Sequence, residues 1–320
     1  MKTNIEVENV NEAIALFGNH DENVNYLRRR LEVNINLFDN SVVVEGEDEK
    51  VERCARLIAL LLEKSRTNTL NRSFINFCIE VVENGDEDKF DELCKVIALT
   101  ARGKQIKSKT YGQAKYVQAI RDNGIVFGIG PAGTGKTYLA VAIAVAMYRN
   151  KIVEKIILTR PAVEAGEKLG FLPGDLGAKV DPYLKPLYDA LQEMFGLEVY
   201  SRLIEKGVIE IAPLAYMRGR TLSNAFIILD EAQNTTREQM KMFLTRMGEG
   251  SRIVVTGDAT QIDLPNDKSS GLLHASKILQ GIDNIQIVHL KNRDIVRNDL
   301  VQAIVKAYEE SKNNQEKELK

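Results

Sequence analysis

Cysteine is scarce in this chain of 320 residues. Cys54, Cys78 and Cys94 are widely spaced, and none has a second thiol or a histidine at metal-ligand spacing. That argues against a disulfide framework and a zinc cluster, and the expectation is three buried or idle thiols in a reducing compartment. Charge imbalance is missing too. A formal net charge of -2 gives no global attraction to nucleic acid or membrane, so an anionic partner has to meet a local basic surface. The longest apolar run, Leu139–Tyr148, is too short to span a bilayer. The opening MKTNIEVENVNEA has no apolar stretch of the secretory kind, and the expectation is a cytoplasmic protein. No internal repeat is visible. What is present, 44% hydrophobic and 28% charged residues, is ordinary globular composition. The length suggests two domains, one large and one small.

Residues 1–65 read as a compact α+β unit. A strand at Ile5–Val7 and a helix through Val10–Leu16 precede Gly18-Asn19-His20-Asp21. A helix over Glu22–Leu31 then leads into strands Val33–Phe38 and Ser41–Glu45, joined by the turn Asp39-Asn40. A helix over Lys50–Lys64 closes the unit, with Val51, Cys54, Leu57, Ile58 and Leu61 on one face. This β-α-α-β-β-α order resembles a KH-type RNA-binding domain, whose GxxG loop clamps nucleic-acid phosphates with backbone amides. Here the loop ends in Asp21, which repels phosphate, so the likeness implies the shape without the grip. Residues 66–110 read as a helical extension followed by a basic linker. The stretch ARGKQIKSKTYGQAK carries Arg102, Lys104, Lys107, Lys109 and Lys115 and no acid. It fits a solvated linker or a strap beside a nucleic-acid path.

Over residues 111–308 short β-rich runs alternate with helical patterns. The runs are Ile125–Ile129, Ile156–Thr159, Val208–Ala212, Phe226–Leu229, Ile253–Thr256 and Ile285–Leu290. Such alternation means βαβ units, an α/β fold with a mainly parallel sheet between helices. Residues 309–320 read as a polar, frayed tail.

The chemistry begins at Gly130-Pro131-Ala132-Gly133-Thr134-Gly135-Lys136-Thr137, a full match to G-x-x-x-x-G-K-[ST]. An apolar strand precedes it and an apolar helix follows, as a phosphate cradle requires. Glycines let successive backbone N–H groups turn toward an anion, and the helix N-terminus adds partial positive charge. Lys136 would reach the β and γ phosphates, and Thr137 would hold Mg2+ through its hydroxyl. Downstream, the apolar run Phe226–Leu229 ends in Asp230 and Glu231, delivered to the carboxyl edge of the sheet where α/β ligands sit. Asp230 is the expected Mg2+ partner. Glu231 is the candidate base for an attacking water, which favours hydrolysis over transfer to a small acceptor. A third strand ends in Gly257-Asp258-Ala259-Thr260-Gln261, where Asp258 and Gln261 would reach the γ-phosphate or its water. Gln113, in Tyr111-Gly112-Gln113, is a candidate reader of an adenine edge.

GPAGTGKTYLAVA, ILDEAQNTT, VVTGDATQIDLP and DIVRNDLVQAI together are similar to the PhoH-like protein family, in its PhoH/PhoL branch. The resemblance covers about residues 100–310 and reaches the N-terminal unit more loosely. It implies a RecA-like P-loop NTPase related to the core of superfamily 1 helicases. By that likeness Gly130–Thr137 is the Walker A loop, Asp230 and Glu231 the Walker B pair, Gln261 the motif III sensor and Gln113 the adenine-reading glutamine. The spacing after Gln113 is longer than in typical helicases. Of Arg293 and Arg297, the family pattern favours Arg297 as the cation on the γ-phosphate, in cis or from a neighbour. Arg160 and Lys168, around the turn AGEKLGFLPGDL, match the segment that grips the strand in helicases, and Arg218 and Arg220 would add phosphate contacts.

Three functions fit these residues. The first is an ATP- and Mg2+-dependent ATPase that binds, remodels or unwinds RNA. The second is an ATP-gated adaptor that recruits an endoribonuclease or a ribosome-maturation factor, a reading that suits the family's tie to RNA processing. The third is a small-molecule kinase, disfavoured because no arginine-rich lid is evident and Glu231 points to water as acceptor. Superfamily 1 helicases close the nucleotide between two lobes, and this chain has one. A homo-oligomer, with a hexamer favoured and Arg297 reaching in from a neighbour, would supply the missing wall.

Overall fold

A computed structural model describes residues 1–161, 176–264, 269–296, 300, 301, 304 and 307. The chain divides into two compact units: Met1–Lys95 with Ser108–Ala114, and Val96–Lys107 with Lys115–Lys320.

In the first unit β1 (Lys2–Glu6), α1 (Val10–Phe17), α2 (Glu22–Leu31), β2 (Asn34–Phe38), β3 (Ser41–Glu45) and α3 (Asp48–Ser65) follow in the expected order. The strands form an antiparallel sheet in the order β1-β3-β2, with Ile5 opposite Val42 and Ile35 opposite Val44. Helix α3 buries Val51, Cys54, Leu57, Ile58 and Leu61, the face its spacing predicts. The core runs on past residue 65. Helix α4 (Arg72–Asn84) starts where the Asn71 side chain accepts from the Phe74 N–H. Together with α5 (Phe90–Leu93) it adds Ile75, Cys78, Val81 and Phe90 to the same core. Phe77 meets Phe90 edge to face at 5.7 Å between centroids. The helices expected as a separate extension therefore share the N-terminal core as far as Lys95, because their apolar faces pack against α3. All three cysteines are free. Burial pushes the Cys54 thiol up to about 12, which makes it inert at neutral pH.

The second unit opens with a small hairpin, β4 (Ala98–Leu99) and β5 (Gln105–Ile106), where the expected helical extension gives way to the basic stretch. The division between units falls within α6 (Tyr111–Asp122). Tyr111 and Ala114 belong to the first core, and Tyr116, Val117 and Ile120 to the second. Then come β6 (Ile125–Ile129), α7 (Lys136–Arg149), β7 (Lys155–Arg160), α8 (Leu176–Phe195), α9 (Leu197–Glu205), β8 (Ile209–Pro213) and β9 (Ala225–Leu229). Helix α10 (Arg237–Leu244), β10 (Arg252–Gly257), α11 (Gly271–Ile278) and β11 (Ile285–His289) complete it.

Six strands pair in parallel in the order β11-β6-β10-β9-β7-β8. These are the six expected strands, and the fold is the expected α/β one. Successive strand residues point to opposite faces, and both faces are covered. Ile156, Leu158, Phe226, Ile228 and Val254 pack in one core with the apolar α7. Phe127, Ile157, Ile227, Leu229, Ile253 and Val255 pack in the other with Met240, Phe243 and Leu272. Both-sided burial explains why these strands read as continuous apolar runs. Among the described residues no helix is long and apolar enough to cross a membrane.

The strand order places the carboxyl ends of β6, β10, β9 and β7 side by side, over roughly 14 Å at ordinary strand spacing. The fold contributes to function mainly through this edge. Phe226, near the amino end of β9, is fully buried in the sheet that carries the edge. Phe226→Ala is expected to destabilise the second unit by about 3–5 kcal/mol, read as a lowered urea midpoint for that unit. An unchanged midpoint would mean that this strand does not anchor the sheet.

Candidate nucleotide-binding site

The phosphate loop follows β6. The Gly130 N–H donates to the Gly257 carbonyl at 3.1 Å, which ties the start of the loop to the end of β10. Gly133 and Gly135 have φ of 87° and 76°, a region that side chains with a Cβ disfavour, and α7 begins at the next residue. The Thr134 hydroxyl donates to the Pro131 carbonyl at 2.9 Å. Lys136 folds back into the loop, where its Nζ donates to the Gly130 carbonyl at 2.6 Å and the Pro131 carbonyl at 2.9 Å. Burial lowers the Lys136 pKa from the usual lysine value, against the pull of Asp258, Asp230 and Glu231. A lysine with a lowered pKa is a charged group held at a cost that an incoming anion offsets.

The acids come from the two neighbouring strands. Asp230, just after β9, accepts through Oδ1 from the Thr137 hydroxyl at 2.7 Å and the Thr256 hydroxyl at 2.7 Å. Glu231 follows at φ 52°, a left-handed conformation that costs a non-glycine residue about 1 kcal/mol or more. Its Oε1 lies 3.0 Å from the Arg160 guanidinium, and its Oε2 accepts from Gln233 Nε2 at 2.5 Å. Asp258, after β10, accepts from the Ala132 N–H at 3.0 Å, the Gln261 amide at 3.0 Å and both the N–H and hydroxyl of Thr260. Burial alone would raise the Asp258 pKa, but the bonds from Thr260 and Ala132 and the charge of Lys136 outweigh it, and the carboxyl is held below its usual value. Its stabilisation is therefore present above the ordinary carboxylate pKa and is lost only as pH falls through the lowered one. The tie to Ala132 survives at neutral and mildly acidic pH.

These groups line one cavity of about 270 Å³, which Ala132, Gly133, Gly135, Lys136, Thr137, Asp230, Glu231, Asp258 and Gln261 share. The donor set suits Mg2+, a hard cation usually held by one or two carboxylates together with substrate phosphates and water. The Thr137 hydroxyl and the Asp230 carboxylate already meet at the mouth of the loop. Among the described residues no cluster of three His, Cys, Asp or Glu side chains could hold a metal by itself.

The structure thus brings the loop, Asp230, Glu231 and Gln261 into one place. Gln113 falls in the first unit, where its side-chain carbonyl accepts from the Lys109 N–H at 2.8 Å. Arg160, expected on a nucleic-acid strand, is paired with Glu231. Arg220 makes a two-pronged ion pair with Glu210, at 2.5 and 2.7 Å. Hydrogen bonding from Arg220 lowers the Glu210 pKa. Arg218 is exposed. Lys168 and Arg297 lie outside the described residues, although the N–H of Val296 donates to the Gly133 carbonyl at 3.0 Å. Thr256 and Gln233 went unrecognised in the sequence. Thr256 stands one strand away from Asp230, and only the strand order shows it.

A strand, a glycine loop at a helix N-terminus and acids at the ends of the next two parallel strands, β10 and β9, define a P-loop nucleotide-binding protein. The model of the PhoH-like protein family matches residues 105–309. A PhoH-like protein from Bacillus subtilis is 50% identical over 308 residues, covering 96% of this chain and 97% of that protein. Protein PhoH from Escherichia coli K12 is 45% identical over 205 residues, which are 63% of this chain and 58% of its own length. A solved Sulfolobus solfataricus SWI2/SNF2 ATPase core in complex with dsDNA is similar at 18% identity and a TM-score of 0.32, over 45% of this chain and 31% of its own. The chain belongs to the PhoH-like protein family.

If the buried ammonium of Lys136 exists to meet phosphate, Lys136→Met, which keeps volume and removes charge, separates stability from binding. The expected thermal midpoint without nucleotide is equal to or above that of the parent, and the rise on adding ADP with Mg2+ disappears. A midpoint several degrees lower would instead make Lys136 a structural donor.

Proposed function

We propose that this chain hydrolyses ATP with Mg2+ and couples the hydrolysis to RNA. The observation that carries the reading is Glu231 lining the same cavity as Lys136 and Thr137. An oxygen acceptor for a water proton faces the place where phosphates bind. In hydrolysis the water oxygen bonds to the γ-phosphorus, the bridge to ADP breaks, and Glu231 takes the water's proton. Lys136, the loop N–H groups and the start of α7 neutralise the phosphate charge. Thr137 and Asp230 would hold Mg2+, which when bound would supply further charge neutralisation. In this reading Asp258 and Gln261, which line the same cavity, sense whether the γ-phosphate is there. Gln113 is our candidate for the adenine edge and Arg297 for the cation on the transferring phosphate, supplied by a neighbour in a homo-oligomer, by preference a hexamer.

RNA is favoured as the partner by the β-α-α-β-β-α order of the first unit, which resembles a KH domain, and by exposed Arg102, Lys104 and Lys107 around the β4–β5 hairpin. A cytoplasmic setting suits both. An ATP-gated adaptor for an endoribonuclease or ribosome-maturation factor is the second reading. It is favoured by the grip of Arg160 and Gln233 on Glu231, which suits a slow basal rate.

The test is ATP turnover with and without single-stranded RNA, with Lys136→Ala as the blank. Glu231→Gln is expected to lower kcat by about 10²–10⁴-fold while ATP still binds. Stimulation by RNA supports a motor or remodeller, and a slow rate indifferent to RNA supports the adaptor. Turnover that survives Glu231→Gln sinks the assignment of the base.

A further inference from the structure

Four adjacent strand ends are joined by one run of side-chain contacts. Arg160, at the end of β7, holds Glu231 Oε1 at 3.0 Å, and Gln233 Nε2 holds the other oxygen at 2.5 Å. Gln233 Oε1 accepts from the Asp258 N–H at 3.1 Å, and Asp258 accepts from the Ala132 N–H of the phosphate loop and from Gln261. The run therefore crosses β7, β9, β10 and the loop after β6 without a gap. Neither Arg160 nor Gln233 belongs to the phosphate loop or the acidic pair.

Each oxygen of Glu231 has one donor and keeps a further lone pair. The Arg160 cation nevertheless fixes the carboxylate's direction and makes Oε1 a weaker acceptor for a water's proton, and charge-assisted bonds of this kind are the strong ones. The pair is still within reach of a ligand, with side chains 22% and 31% exposed. A guanidinium matches a phosphodiester as well as it matches a carboxylate, so a nucleic-acid backbone can take Arg160 away without leaving its charge unpaired.

We propose that Arg160 is a positioning residue that restrains Glu231 in the resting chain, and that the backbone of single-stranded RNA releases it by taking the guanidinium. The proposal rests on the hydrolytic, RNA-directed reading above and adds the element that couples the two. The contacts from Gln233 to Asp258 carry the released state toward the loop.

The experiment is steady-state ATP turnover by the full chain, Arg160→Gln and Arg160→Lys, each with and without a single-stranded oligouridylate. Binding of a fluorescent ADP analogue confirms that each variant is folded. Without RNA, Arg160→Gln is expected to raise kcat by about 2- to 5-fold, the range of a partly exposed ion pair, with KM for ATP unchanged and further stimulation by RNA lost. Arg160→Lys, which keeps the charge, is expected to stay close to the parent. A kcat in Arg160→Gln at or below the parent value, with ADP still bound, overturns the restraint and leaves the ATPase reading intact. Equal stimulation of parent and Arg160→Gln overturns RNA as the releasing ligand. A parent that binds ATP and never hydrolyses it removes the ATPase reading first. The restraint then survives only if Arg160→Gln begins to turn over.

Discussion

Parallel pairing of β6, β10, β9 and β7 is the constraint on which the rest of this structure depends. In a parallel sheet every strand ends at the same edge, so residues far apart in the chain arrive there together. Thr137 and Asp230 meet at 2.7 Å, and Ala132 and Asp258 at 3.0 Å. Moving β9 one place along the sheet would separate Asp230 from both Thr137 and Thr256. The near-complete burial of β9, whose five residues Ala225–Leu229 are all inside, holds it in that place.

At the edge, electrostatics are balanced rather than satisfied. Lys136 is buried against neutral carbonyls, with three carboxylates nearby and its pKa lowered. Asp258 is kept ionised by donors from the loop. Glu231 sits in a left-handed backbone conformation with a cation on one oxygen. The buried Lys136 and the left-handed Glu231 cost the resting chain stability, whereas the ionised Asp258 returns some of it by tying the loop to β10. Strain at a functional edge is tolerated when the surrounding core over-determines it, and the two apolar layers on the faces of this sheet do that.

How much of this was legible depended on distance along the chain. The loop Gly130–Thr137 is eight consecutive residues whose chemistry is local, so it could be read directly. Asp230 and Glu231 follow an apolar strand, and the strand itself places them at the edge. The pairing of Arg160 with Glu231 was not legible, because it requires β7 to lie beside β9, and alternating runs do not specify strand order. For the same reason Arg220, a good phosphate ligand by residue type, proved to be engaged by Glu210 across a local turn. In the N-terminal unit the buried face of α3 was read correctly. Its extent was not, because the apolar face of α4 did not announce which surface it would cover.

The central claim is that the strand edge around Lys136 is a phosphate cradle that takes up nucleotide. Amide hydrogen exchange of the full chain, with and without saturating ADP and Mg2+, tests it most directly. The account predicts slowed exchange over Ala132–Thr137 and at Glu231–Gln233. Saturation with unchanged exchange at both, or protection confined to the first unit, would contradict it.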